Sequence, residues 1–330
     1  MLITLAVLFL GAIAFLVFRQ MRADTLERQL TQFLDSENIA GGVVAYGPAG
    51  SAPEVLALGR ATDSRAMQGS DRFRLASLSK PVTSAAIMSL VEEGRLSLDT
   101  EVPETGGNVT VRDLLRHSGG WDREITFDPI SNPPTASKIG LTLPYQCEDI
   151  ARLMPPAQFS PGTRYAYSNI GYCWLGTVIE QASGMSYSDY VDRYVLAPRH
   201  AGLEYNGRPT VDHSTADYAG DWPEAAYQAI GPAGGWTGTA PDYWAFASAP
   251  LDSRVTERPA YAEPGKDYYG LGWRVWPDGT LSHYGAIPGI YTVVFRKKDR
   301  VAVFLFNGRP ADDQAAFARL RDMARMTGIQ

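Results

Sequence analysis

The chain has 330 residues, 45% hydrophobic and 20% charged, with a formal net charge of −6. Such a composition excludes global disorder, and the absence of a basic face excludes a nucleic-acid partner. Two cysteines rule out a disulfide-stapled miniprotein or a multi-cysteine metal site.

Residues 1–18 carry no charge and would cover about 27 Å as a helix, near the lower limit for a membrane span. They read as an uncleaved anchor, with a cleaved signal as the rival. Ala12-Ile13-Ala14 has the small-x-small look of a cleavage site, but the apolar run continues to Phe18 and no positive n-region precedes it. Arg19 and Arg22 follow the span and leave its orientation open. Residues 1–22 are therefore set apart as an anchor or signal segment, and 23–330 as a single domain without repeats or linkers.

Leu26, Leu30, Phe33 and Leu34 predict a helix over 24–36. Residues 41–46 and 55–58 read as strands, and a strong helix runs from about Ser77 to Glu93, where Gly94 ends it. Residues 105–265 are richer in Pro, Gly and aromatics, with short helices near 148–154, 170–182 and 187–195. Strand patterns return at 271–276, 279–283, 290–296 and 301–307. A final amphipathic helix uses Ala315, Phe317, Leu320 and Met323. The expected fold is α/β (α+β): an antiparallel sheet (about 23–76 and 266–330) flanked by terminal helices, with a mostly helical part (about 77–265) inserted.

Three short motifs carry chemistry. Ser77-Leu78-Ser79-Lys80 puts a serine and a lysine on one helical face, where unpaired N–H groups favour a developing oxyanion. A partly desolvated lysine there can take the serine proton. Chance supplies about 0.3 such matches, and a helix-capping Ser before a solvated Lys is the bland alternative. Tyr167-Ser168-Asn169 precedes a helix. A phenol near a cationic lysine has its pKa lowered and can shuttle protons, and an Asn amide can hold both the lysine and a substrate carbonyl. The bland alternative is a core Tyr with a capping residue. His283-Tyr284-Gly285-Ala286 ends a strand, where Gly285 would let a substrate lie alongside; a hairpin turn with an incidental His is the alternative. Singly the alternatives prevail. Together, in this order, they do not.

On these motifs the chain resembles the serine β-lactamase and penicillin-binding-protein-like superfamily, in the branch of class C β-lactamases, D-alanyl-peptidases and related esterases. The resemblance covers about residues 27–326 and includes Thr110–Gly120, Ser160–Gly184 and Gly231–Thr239. It implies a class C β-lactamase-like fold and a covalent acyl-enzyme on Ser77. Lys80 and Tyr167 would share the base role, with Tyr167 protonating the leaving group and later activating water. Asn169 would orient Lys80 and the substrate, His283 and Gly285 would help position the substrate, and the backbone N–H groups of Ser77 and Ala286 would form the oxyanion hole. His117 and Ser118 match a stretch that looks structural and are left outside the site.

His283 stands where many relatives carry the Lys of K-T-G. A mostly neutral histidine holds a substrate carboxylate less well, which shifts the expectation toward an esterase or amidase acting on uncharged acyl groups, unless an unplaced arginine supplies the cation. Trp121, Tyr165, Trp236 and Tyr284 suggest an apolar acyl pocket, and core packing explains them equally well. Cys147 and Cys173 are either two buried thiols or a disulfide between neighbouring helices.

The expected protein is thus a serine hydrolase acting on a small-molecule or peptide acyl substrate. The four histidines, His117, His200, His213 and His283, lie far apart with no H-E-x-x-H pair, so no metal is expected, nor any organic cofactor. It would be membrane-anchored through residues 1–18 with an extracytoplasmic (periplasmic) domain, or secreted if the segment is cleaved. Alternatives are a D-alanyl-peptidase or β-lactamase acting on cell-wall-like amides, and a non-catalytic peptide-binding sensor.

Overall fold

The structure is a computed structural model that describes residues 24–154, 157–212 and 222–329. Residues 24–37 form helix α1. Strands β1 (Gly41–Pro48), β2 (Glu54–Thr62) and β3 (Arg65–Ala66) follow. The other strands are β4 (Phe73–Arg74), β5 (Glu204–Tyr205), β6 (Trp236–Gly238), β7 (Tyr268–Tyr269), β8 (Arg274–Val275), β9 (Leu281–Ile287), β10 (Ile290–Lys297) and β11 (Arg300–Phe306). The longer helices after α1 are α2 (Ser79–Glu92), α3 (Asn169–Ser183), α4 (Ala240–Ser248) and α5 (Asp313–Met326).

Among the described residues the main sheet is antiparallel, in the order β3-β2-β1-β11-β10-β9-β8-β7, and a small sheet runs β4-β6-β5. The first and last long strands therefore meet at the centre, with Val44 opposite Phe304. β10 and β11 are apolar almost throughout because both faces of the sheet are covered. Alternation sorts their side chains: Val44, Val293, Phe295 and Phe304 face Leu30 and Phe33 of α1 and Leu320 of α5. Val43, Ala45, Val294 and Val303 face the helical part of the chain. The fold is α/β, an antiparallel sheet flanked by terminal helices with a mostly helical part inserted.

α2 threads this interior and is buried on nearly every side, so it lacks a polar face. α3 packs beside it, and the helix Cys147–Leu153 is tied to α3 by a disulfide, Cys147–Cys173, with a Cα–Cα separation of 5.6 Å. The bridge decides the question that the sequence leaves open.

Two expectations are corrected. The strand anticipated at 271–276 is reduced to β8, because Gly272 turns the chain with φ +81, and a Cβ there would come within 2.4 Å of Ser84 Cβ. No helix among the described residues is long and apolar enough to cross a membrane. α3, with 15 residues, falls short of the roughly 20 that a span takes. The apolar run 1–18 lies outside the described residues, and the membrane-anchored, extracytoplasmic (periplasmic) placement drawn from it is withdrawn.

Candidate active site

Ser77 sits in a 3-10 turn, Ala76–Leu78, just before α2 rather than within it. Ala76 takes φ +48, a left-handed conformation that a non-glycine residue adopts only when its surroundings impose it. The surroundings are hydrogen bonds. Leu75 N–H donates to the Trp236 carbonyl (2.8 Å), the Thr292 hydroxyl to the Leu75 carbonyl (2.9 Å), and the Tyr243 hydroxyl to the Leu78 carbonyl (2.8 Å). β6, α4 and β10, all far along the chain from Ser77, thus clamp the turn.

β9 passes close beside it. A Cβ on Gly285 would lie 2.7 Å from the Ser77 backbone nitrogen and 2.6 Å from Thr292 Oγ1. This glycine admits the serine turn itself, a tighter demand than room for a substrate.

Lys80 lies one turn beyond Ser77 and is fully buried. Its Nζ is 3.1 Å from Ser77 Oγ, 2.6 Å from Asn169 Oδ1 and 2.8 Å from the Ala233 carbonyl oxygen. Burial holds its pKa well below the usual lysine value; Asp128 pulls it back up and Arg123 presses it further down. A neutral amine there has a lone pair within reach of the Ser77 proton. Asn169 opens α3 and spends its Nδ2 on Asp128 (2.6 Å).

The Tyr167 hydroxyl donates to Ser77 Oγ at 2.8 Å. The sequence suggests a lowered pKa for this phenol, and the structure corrects that. Burial pushes it well above the ordinary tyrosine value, against the opposing pull of its bond to Ser77 and of Arg123. Tyr167 at rest is a protonated phenol.

His283 has both ring nitrogens engaged: Nδ1 lies 2.9 Å from the Tyr284 carbonyl oxygen and Nε2 2.8 Å from the Tyr269 hydroxyl. A carbonyl only accepts, so Nδ1 carries the proton and Nε2 accepts from Tyr269. Burial pushes the imidazole pKa down to about 3. His283 is neutral and has no N–H left for a substrate.

Ser77, Tyr167, His283 and Ala286 line one cavity of about 130 Å³, together with Arg123, Arg274 and Arg309. Of the four aromatics considered from sequence, Tyr165 and Tyr284 line this cavity. Trp121 and Trp236 are buried in the core. Sequence reasoning missed Arg123, Asp128 and Tyr269, which sit in stretches without a recognisable pattern. It also set aside His117, whose ring lies 4.2 Å from that of Tyr167 and whose Nδ1 accepts from Ser168 N–H at 3.2 Å. His200 is exposed and His213 lies outside the described residues.

The Beta-lactamase family profile matches residues 26–325, nearly the whole described body. The chain belongs to the Beta-lactamase family. It is 32% identical over 152 residues to "Probable fimbrial assembly protein FimD, serogroup H1" of Dichelobacter nodosus, a match covering 43% of this chain and 36% of that protein. It is 31% identical over 189 residues to penicillin-binding protein 4* of Bacillus subtilis, covering 48% of this chain and 37% of that protein. The match thus spans well under half the length of these curated relatives. Among solved structures, a penicillin-binding protein from Bacillus halodurans superposes with a TM-score of 0.74 at 24% identity, over 89% of this chain and 99% of that one. These structural likenesses are of fold.

Proposed function

We propose that this chain is a serine hydrolase that forms a covalent acyl-enzyme on Ser77 and hydrolyses an ester or amide. The observation that carries the reading is Ser77 Oγ held between two proton carriers, 3.1 Å from the buried Lys80 amine and 2.8 Å from the Tyr167 hydroxyl, on the wall of a cavity.

In this reading neutral Lys80 takes the Ser77 proton as Oγ attacks the substrate carbonyl carbon. The backbone N–H groups of Ser77 and Ala286 receive the oxyanion. The carbon–leaving-group bond then breaks, and Tyr167 gives its proton to the departing oxygen or nitrogen. Lys80 returns its proton to Tyr167. In deacylation water attacks the ester, the Tyr167–Lys80 pair takes the water proton, and Ser77 Oγ leaves and regains a proton. Asn169 holds Lys80 in place. Gly285 keeps β9 beside Ser77.

Neutral, fully engaged His283 supports uncharged acyl groups as substrates. A second reading, a D-alanyl-peptidase or β-lactamase, is supported by the three arginines on the cavity wall, which could hold a substrate carboxylate. Intact-mass spectrometry of the full chain tests both. A fluorophosphonate adduct on wild type and none on Ser77→Ala is expected, with turnover of a short-chain activated ester. Turnover of penicillin instead would favour the second reading, and an adduct that persists in Ser77→Ala would remove Ser77 from its role.

A further inference from the structure

We propose that Arg123 acts through Tyr167: its guanidinium supplies the positive charge that lets the buried phenol give up its proton during the reaction. This rests on the acyl-enzyme reading above.

The placement is built. Arg123 opens a four-residue helix, Arg123–Thr126, whose first turn is capped by Asp122, with Glu124 N–H donating to its carboxylate at 3.0 Å. The Arg123 backbone N–H donates to the Tyr167 carbonyl at 3.2 Å, so its loop is fastened to the residue that it serves. Asp122 adds a second tether, its N–H donating to Gln158 Oε1 (3.0 Å) and its carboxylate meeting Arg164 (3.4 Å). The guanidinium carbon then lies 4.8 Å from the centre of the Tyr167 ring.

The other charges near the cavity are committed elsewhere. Arg309 forks onto Asp313 (3.0 and 2.7 Å), and Arg274 is paired with Asp267 (2.5 Å). His283 is neutral. Among the described residues the Arg123 side chain hydrogen-bonds Glu124, through Nε at 3.2 Å, a carboxylate that is 81% exposed, and Asp128 adds an attraction through charge alone. Its terminal nitrogens have no hydrogen-bond partner among the described residues.

Tyr167 is faced by Lys80 and Ser77 from the start of α2, by His117, and by Tyr165 on its own segment. From the sheet side Tyr269 and Tyr284 approach, and Asp128 lies beyond Asn169. Burial keeps His117 neutral and Tyr165 and Tyr269 protonated. With Lys80 a free amine in the working form, Arg123 is thus the standing positive charge at the phenol among the described residues. A charge at Arg123 lowers both members of the Tyr167–Lys80 pair, countering burial for the phenol and adding to it for the amine. The effect on the amine favours the working form, a phenol beside a free amine, and the effect on the phenol eases phenolate formation in the transition state.

The sign is definite. The pair loses one proton to become active and a second to become inactive, so activity follows a bell. Removing the positive charge raises both limbs. The test is kcat and KM for p-nitrophenyl acetate, an uncharged ester, across about pH 5 to 10, on full-length wild type, Arg123→Gln and Arg123→Lys. For Arg123→Gln the acid limb should move alkaline by about half a unit or more, a size set by a charge near 5 Å in partly aqueous surroundings, while the Tyr167 limb lies above this range. Its kcat should fall several-fold with KM nearly unchanged, and Arg123→Lys should restore most of the acid limb's position. An unmoved acid limb with a raised KM would make Arg123 a substrate anchor and overturn the proposal. Equal shifts in the Gln and Lys variants would overturn it too, because charge would then not be the cause. If wild type forms no Ser77 adduct, the acyl-enzyme reading falls and takes this inference with it. An adduct with an unmoved acid limb sinks this inference alone.

Discussion

Asn169 stands between Lys80 and Asp128, accepting from Lys80 Nζ at 2.6 Å through its oxygen and donating to the Asp128 carboxylate at 2.6 Å through its nitrogen. A neutral amide thus keeps a buried amine from pairing directly with a half-buried acid. A direct carboxylate contact would hold Lys80 as an ammonium, with no lone pair for Ser77. Asn169→Asp should therefore raise the Lys80 pKa, move the acid limb of the pH–rate profile upward and lower kcat at neutral pH by about 100-fold or more. An acid limb that stays in place would show that Asn169 does not control the charge on Lys80.

The buried lysine costs stability. Its folded pKa lies well below the unfolded value, so unfolding takes up a proton at any pH between the two. The native state is penalised across neutral pH, and the penalty fades as pH rises toward the unfolded value of 10.5. Lys80→Met should abolish turnover and raise Tm at neutral pH, by an amount that shrinks near pH 10.5. A lower Tm at neutral pH would contradict the assignment of a destabilising, functional lysine.

His283 makes the site acid-sensitive. With a folded pKa of about 3 against 6.5 unfolded, its contribution is fully present above pH 6.5 and is lost as pH falls toward 3. The shift corresponds to about 4–5 kcal/mol at its low-pH end. In urea titrations, His283→Gln should flatten the decline of unfolding free energy between pH 6.5 and 4.5. A decline as steep as that of wild type would place the acid sensitivity elsewhere.

Gly285→Ala should damage the site more than the fold. The new methyl meets backbone at Ser77 N and Leu75 O, both 2.7 Å away, and neither can swing aside. β9 must move off the serine turn. We expect a loss of about 1–3 kcal/mol in stability from overpacking. A fall of 100-fold or more in kcat should accompany it, as about one oxyanion donor is worth. Retention of wild-type kcat would mean that the oxyanion site does not depend on β9.

The disulfide Cys147–Cys173 closes 26 residues between two helices, the second of which begins with Asn169. Chain-entropy reasoning puts its worth at about 3–4 kcal/mol. Cys147→Ser with Cys173→Ser should lower the unfolding free energy by that order while leaving the pH–rate limbs in place. Limbs that move would tie the bridge to the site.

Local pattern determined much of this protein. Three-residue spacing is enough to bring Ser77 and Lys80 together, since one helical turn does it whatever surrounds them. Near-continuous apolar runs in β1, β10 and β11, and the apolar stripes of α1 and α5, made the sheet and its covering helices legible, because a strand covered on both faces is apolar throughout and a covering helix must bury one stripe. Tertiary structure decided everything that depends on partners distant in the chain. Lys80 and Asn169 are 89 residues apart, and Arg123 reaches Tyr167 through a backbone hydrogen bond that no motif announces. Depth of burial is a property of the packed whole as well. That is why the sequence suggested a lowered Tyr167 pKa, whereas the fold raises it, and why the sequence left the Cys147–Cys173 pairing open. Spacing along the chain sets which neighbours a residue must have; the water excluded when distant segments pack sets the charge that it carries.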